Sequence, residues 1–339
     1  EDNPLPTILG RVCDHLCENT CIRTHYDEPL AIRDIKRFIM EQEATPTLFD
    51  RGPVSGRKVA ILGAGPAGLS AAQELAYAGL EVTILEMYPY AGGMVGGAIP
   101  TYRLPRRALD RDIDRIRALG VDFVGDSRID HDRLSDLTRE FDAVLAATGL
   151  QRLTSVDLGV DLGRGEGRVM QGIEFLDAVS RKAVRVDGEK VIVVGGGNTA
   201  VDAARSAYRL GADSVQIVYR RTRTEMPAIP EEVDEAMDEG IHIRFLTMPL
   251  HIAGDDGHQR LACQRMELGE PDASGRRAPV PVAGDEFELP CDRVILALGQ
   301  KADLSLLPEH VELHQHAAIE QDGAAPVYPA GDLLTNEGT

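Results

Sequence analysis

Residues 58–86 read KVAILGAGPAGLSAAQELAYAGLEVTILE, and this stretch decides the fold. The apolar run 59–62 shows no polar alternation, as expected of a parallel strand buried on both faces. It turns through Gly63, Gly65 and Gly68 into a helix whose first turn holds Pro66 and Ala67. Each glycine has its own task. Gly63 permits the tight turn, Gly65 lets backbone amides approach a pyrophosphate, and Gly68 lets the helix lie close on the strand. Unpaired N–H groups and the helix dipole then favour phosphate at the helix N-terminus. A second apolar run, 82–85, ends in Glu86, at about the 20-residue spacing from which an acid reaches a ribose hydroxyl. Glycine spacing alone is a weak signal. Strand, glycines, helix, strand and acid in order specify a dinucleotide crevice.

The chain repeats the device. Residues 190–223 read KVIVVGGGNTAVDAARSAYRLGADSVQIVYRRTR. Gly195, Gly197 and Ala200 take the three glycine places, alanine being tolerated at the third, and Asn198 and Thr199 open the helix. Tyr219 falls where Glu86 stands in the first copy, and Arg220, Arg221 and Arg223 follow it. Loss of the acid removes repulsion of a 2′-phosphate, and guanidinium forks bind phosphate well. The second crevice is therefore expected to accept NADPH, without excluding NADH. The other reading of the three arginines is a solvated basic turn.

At 339 residues the chain is longer than a single core supports, so two or more domains are expected. Its 55 acidic residues outnumber 36 basic ones, for a net charge of −19 spread along the chain. That excess argues against nucleic acid or an anionic membrane as the partner. No apolar stretch is long and uninterrupted enough to cross a bilayer. Clustered cysteines in a large, cysteine-poor chain point to metal ligation in a reducing compartment, so a cytoplasmic location is expected. The chain starts at Glu1 without methionine and stops at Thr339 inside a motif, so trimmed ends are expected and a removed targeting segment stays open.

Residues 1–45 read as a helical domain carrying Cys13, Cys17 and Cys21. On a helix, spacings of four place all three sulfurs on one face. A four-iron cluster takes four ligands, and Cys263 and Cys291 lie in strand-like stretches of a later domain. A fourth ligand then lies upstream of Glu1 or on a partner chain, or no cluster is held and the trio is structural. Residues 46–57, rich in proline and glycine, read as a linker. The first part of one dinucleotide fold spans 58–150, the second fold 151–299 and the remainder of the first 300–339. Residues 87–102 carry no charge, as suits the ring of an aromatic cofactor. Residues 241–289 read as short strands of an antiparallel meander. Small residues at Ala147, Thr148 and Gly149, and again at Gly299 and Gln300, end the last strands of the two folds. Gly331 leads into Asp332, an acid suited to a ribityl hydroxyl.

The motifs NPLPTILGRVCDHLCENTC, GAGPAG with Glu86, GGMVGGAIPTYRLP, AATG, GGGNTAVDAA, YRRTRTEMPA, ALGQ and AGD, taken together, resemble one flavoprotein family over nearly the whole chain. It includes the small subunit of glutamate synthase, the amino-terminal half of dihydropyrimidine dehydrogenase and the large subunit of bifurcating ferredoxin:NADP oxidoreductases. The resemblance implies an α/β architecture of two Rossmann-like folds, the second inserted in the first, preceded by a small helical domain. It implies FAD in the first fold, near Gly93, Met94, Arg103, Leu104 and Asp332, and NAD(P)H in the second, with Gly299 and Gln300 at the junction. It implies iron–sulfur ligation by Cys13, Cys17 and Cys21. Lys36, however, stands where the family can use a glutamine ligand. The implied activity is hydride transfer between nicotinamide and flavin, with electrons passed through iron–sulfur clusters to or from a catalytic subunit or ferredoxin. No side-chain acid or base is expected to act, and the absence of cysteine from 87–140 argues against a flavin disulfide reductase. The alternative is a nucleotide-binding scaffold or redox sensor without turnover.

Overall fold

The structure, a computed structural model, describes residues 3–43, 51–159, 168–254, 259–272, 275–307 and 324–335. Lys58–Leu62 forms a central strand, parallel to Glu81–Leu85 on one side and Ala143–Ala146 on the other. Asp122–Val124 and Val327–Pro329 complete a five-stranded parallel sheet as its two edges. Alternate residues of the central strand enter different cores. Val59 and Ile61 join one apolar cluster, and Ala60 and Leu62 join another on the opposite face. Burial on both faces explains the unbroken apolar run, since every side chain leaves water. Ile61 is fully buried, and truncation to alanine there costs about 2–5 kcal/mol.

Residues 153–299 form a second compact unit, and 1–152 with 300–339 form the first. The second unit repeats the sheet around Lys190–Val194, flanked by Ser214–Val218 and Arg293–Leu296, with His242–Arg244 and Val169–Gln171 as edges. Strand order is the same in both sheets, but the connections are not. In the first unit the helix His131–Glu140 connects the edge strand Asp122–Val124 to Ala143–Ala146 across the central strand, its N-terminus capped by Asp130, which accepts from the Arg133 amide at 2.8 Å. In the second that place is taken by the meander Thr247–Ala253, Arg260–Pro271 and Arg277–Pro290. The edge strand that comes last in the first unit comes earliest in the second.

The N-terminal helix Pro6–Val12 does not build a separate core. Leu5 and Ile8 enter the same cluster as Val59 and Ile61. Helix Ile32–Gln42 buries none of its residues, and Phe38 and Ile39 are exposed. Of the expected linker, 46–50 lies outside the described residues. The part beginning at Arg51 runs without regular structure along the end of helix Pro66–Tyr77, where Gly52 and Ser55 amides donate to the Tyr77 and Gly79 carbonyls. Among the described residues no helix is long and apolar enough to cross a membrane.

Candidate functional site

In the first crevice the three glycines divide their labour. Gly63 has φ of +101°, and a Cβ there would lie 2.6 Å from the Ala147 carbonyl oxygen, so strand end and neighbouring loop touch through backbone alone. A Cβ on Gly68 would meet the Gly63 oxygen at 2.0 Å, whereas one on Gly65 would meet nothing within 4 Å. Gly65 therefore faces open space at the start of helix Pro66–Tyr77, where no side chain caps the first N–H groups. Uncapped donors beside open space at a positive helix end are an anion site. Glu86 is buried, its Oε2 accepting from the Ala64 amide at 2.7 Å and its Oε1 from the Tyr88 amide at 3.0 Å. Those bonds hold the carboxylate at the rim with lone pairs to spare.

Three further segments close on the same helix end. Gly93 approaches Gly65, to whose Cα an added Cβ would come within 2.9 Å, and Gly331 approaches the Ala67 methyl, within 2.7 Å. Thr148 and Gly149 form the third, with the Thr148 carbonyl held by Gln151 Nε2 at 2.7 Å. Met94 is exposed, Arg103 half-buried and Leu104 buried. Asp332 begins a short helix, and burial pushes its carboxyl above the usual carboxylate range.

The second crevice has the same build. Gly195 has φ of +144° and would place a Cβ 2.2 Å from the Ala297 oxygen, while Gly197 faces open space. Ala200 is fully buried, so its methyl is part of the packing. Asn198 Oδ1 accepts from the Ile229 amide at 2.9 Å, tying the helix start to the following loop. Tyr219, where the acid would stand, lies under Gly196 and donates its hydroxyl to the Glu225 carbonyl at 2.7 Å. Gly299 is exposed, and Gln300 Nε2 donates to the Leu150 carbonyl at 3.0 Å.

The three arginines differ in their surroundings. Arg221 is buried, donating Nε to the Arg277 carbonyl at 2.8 Å and Nη2 to Asp272 at 2.5 Å, so it anchors the meander. Arg223 pairs with Asp234 at 2.6 Å. Arg220 alone is exposed with no side-chain partner among the described residues. Sequence reasoning also missed Gly172. It follows the edge strand Val169–Gln171 and packs on Thr199 as Gly331 packs on Ala67. Its only trace in the sequence is one small residue after a three-residue strand.

The cysteines do not share a helix face. Cys13 ends helix Pro6–Val12, Cys17 lies in the separate turn Leu16–Asn19, and Cys21 precedes a third, Ile22–His25. His15, at φ of +42°, breaks the helix between the first two. Among the described residues no group of three His, Cys, Asp or Glu side chains is gathered to hold a metal. Backbone hydrogen bonds at Leu30 and Arg23 lower the Cys21 thiol pKa. Cys263 and Cys291 are buried, and burial pushes their thiols up to about 12 and about 11, so both stay protonated. Three thiols without a fourth do not fit a complete [4Fe–4S] ligand set.

The profile of the pyridine nucleotide-disulphide oxidoreductases matches residues 57–336, through both crevices. The chain belongs to that family. Residues 1–47 match a second profile, dihydropyrimidine dehydrogenase domain II, 4Fe-4S cluster. Among curated relatives, the NADP(+)-dependent formate dehydrogenase subunit beta of Moorella thermoacetica is 43% identical over 99% of this chain and 52% of its own length. The NADPH-Fe(3+) oxidoreductase subunit beta of Geobacter sulfurreducens is 45% identical over 92% and 48%. A putative glutamate synthase [NADPH] small chain of Cereibacter sphaeroides is 36% identical over 86% and 74%. The chain thus spans about half the length of the first two. Mycobacterium tuberculosis FprA in complex with NADPH has the same fold, with a TM-score of 0.66 at 20% identity over 85% of this chain and 80% of that one.

Proposed function

We propose that the chain transfers hydride between NAD(P)H in the second crevice and FAD in the first, as the electron-transfer part of a larger oxidoreductase. The observation that carries this reading is the pair of crevices with one construction and opposite tips, a fixed carboxylate at Glu86 and a free guanidinium at Arg220. A carboxylate suits a ribose diol and repels a 2′-phosphate, and an exposed arginine attracts one. Gly65, Pro66 and Ala67 would hold the FAD pyrophosphate. Ala147, Thr148 and Gly149 would line the first crevice, with Gly93, Met94, Arg103 and Leu104 beside the ring and Gly331 and Asp332 beside the ribityl chain. Gly197, Asn198 and Thr199 would hold the nicotinamide dinucleotide, with Gly299 and Gln300 near its reactive end.

Bound FAD supplies the chemistry, accepting a hydride and releasing electrons singly, while the chain supplies position and electrostatics. A catalytic or iron–sulfur partner subunit, or ferredoxin, is the proposed acceptor or donor, in keeping with the names of the subunit relatives. Cys13, Cys17 and Cys21 fall short of a cluster by themselves, and no step is assigned to them. Neighbouring free thiols suit a reducing compartment such as the cytoplasm.

Anaerobic addition of NADPH or NADH to the purified yellow protein tests the proposal. Bleaching of the flavin absorbance is expected with NADPH. A protein that carries flavin and is bleached by neither nucleotide would be a scaffold or sensor, and the proposal would be wrong.

A further inference from the structure

Helix Arg106–Arg117 reaches both sides of the cysteine segment. On one side Asp112, fully buried, accepts from the Ile8 amide at 2.8 Å. Helix Pro6–Val12 has no side-chain cap of its own, because the apolar Leu5 stands at its N-cap. Asp112 therefore caps it from 104 residues away. Burial pushes the Asp112 carboxyl above the usual carboxylate range, and withdrawing either partner leaves a buried polar group unsatisfied.

On the other side helix Ile32–Gln42 ends with no basic residue in its last turn. Arg111 supplies the missing donors, giving Nη1 to the Met40 carbonyl at 2.7 Å and Nη2 to the Glu43 carbonyl. The Glu43 carboxylate is held in turn by Arg111 at 2.9 Å and Arg115 at 2.8 Å. The two capped helices flank the cysteines. Cys13 closes the first helix, while the Arg33 amide at the start of the second donates to Glu18, between Cys17 and Cys21, at 2.9 Å.

We propose that helix Arg106–Arg117 is a two-ended clasp that fixes residues 13–21 relative to the first dinucleotide crevice, with Asp112 and Arg111 as its positioning residues. The inference rests on the reading of that crevice as the flavin site, since the clasp helix follows directly on Arg103 and Leu104. Residues 13–21 have no regular structure of their own beyond single turns, so their place depends on the helices that flank them, and this helix is the support on the crevice side.

Hydrogen exchange read by mass spectrometry on the flavin-loaded full chain tests the clasp, with anaerobic NADPH bleaching recorded on the same samples. Asp112→Ala is expected to speed exchange across residues 7–13 roughly tenfold, the cost of one buried hydrogen bond, and to leave 36–43 unchanged. Arg111→Ala is expected to do the reverse, speeding 36–43 about threefold. Asp112→Asn, which still offers an oxygen to the Ile8 amide, is expected to restore protection to within about twofold of the parent. All three variants should keep their flavin and its bleaching by NADPH. Acceleration spread through the whole first unit, no acceleration, or an Asp112→Asn profile like that of Asp112→Ala would each overturn the clasp. If Asp112→Ala does not fold, Arg111→Ala and Asp112→Asn decide the matter by the same criteria. Absence of bleaching in the parent protein would defeat the flavin reading while leaving the exchange pattern to judge the clasp.

Discussion

The two crevices use one sheet order and one glycine turn, yet differ wherever the chain leaves that shared frame. The edge strand of the first sheet is the last in the chain, Val327–Pro329, and that of the second is the earliest of its unit, Val169–Gln171. Each is followed by a glycine that packs on the second residue of the phosphate-site helix, Gly331 on Ala67 and Gly172 on Thr199. The frame is therefore set by close backbone approach, which only small residues permit. What lies on the frame differs: Glu86, Asp332 and a helical crossover in one unit, Tyr219, Arg220 and an antiparallel meander in the other. On the proposed reading the shared parts would hold a pyrophosphate, and the divergent parts would choose which dinucleotide carries it.

The sharpest way to break that comparison is to block one turn at a time. Gly63→Ala puts a methyl on backbone at positive φ against the Ala147 carbonyl. Strain and overlap together should cost about 3 kcal/mol or more, a loss of at least about a hundredfold in flavin affinity, seen as colourless protein after desalting. Gly195→Ala meets Ala297 in the same way. It should leave the protein yellow and abolish bleaching at NADPH concentrations that saturate the parent. If Gly195→Ala also released the flavin, or Gly63→Ala also abolished NADPH binding read by titration, the crevices would not be independent.

The next test separates neighbouring arginines. Arg220→Ala removes an exposed charge and should raise the KM for NADPH about tenfold to a hundredfold, with kcat and the KM for NADH little changed. Arg221→Ala instead strips a buried guanidinium from Asp272 and the Arg277 carbonyl. Its signature should be a lower urea midpoint, a loss of about 2–3 kcal/mol, because the partners are left unsatisfied. Equal KM effects from both would return Arg221 to the phosphate site.

That pair also shows where the sequence stopped being readable. Gly63, Gly65 and Gly68 announce their roles because backbone geometry at a tight turn admits few residue types, and apolar runs announce buried strands because solvent exclusion is local. Arg220, Arg221 and Arg223 look alike in the sequence, since burial of Arg221 depends on Asp272 about fifty residues later, across a meander. Cys13, Cys17 and Cys21 misled for the opposite reason. Their spacing is helical, but His15 adopts a left-handed conformation that periodicity does not report. Asp112 was invisible because its partner, the Ile8 amide, is 104 residues away.

A smaller effect is expected at the tip of the first crevice. Glu86→Gln keeps the shape and one acceptor oxygen, so one of the amides of Ala64 and Tyr88 can stay bonded. What goes is the charge that would face a bound ribose diol, worth about 1.4 kcal/mol, or a tenfold weaker FAD. Isothermal titration of stripped protein with FAD measures it. A change in flavin affinity below twofold would show that Glu86 serves only to brace Ala64.

The smallest effect separates Asp332 from Ile173, which occupies the matching place after Gly172 and carries no charge. Burial holds the Asp332 carboxyl above its ordinary value of 3.8 in the folded chain. The folded state then binds its proton more tightly than the unfolded state does. The resulting stability is fully present below 3.8 and is lost as pH rises through the raised folded value. Urea unfolding of flavin-free protein should therefore show parent stability falling relative to Asp332→Asn over that window. The group is partly exposed, so solvent screening should keep the fall below the effects of the substitutions above. Flavin loading should flatten the slope, because a ribityl hydroxyl donating to the carboxylate favours its ionised form. A slope that persists unchanged with flavin bound would remove Asp332 from the crevice and leave the two edge strands alike.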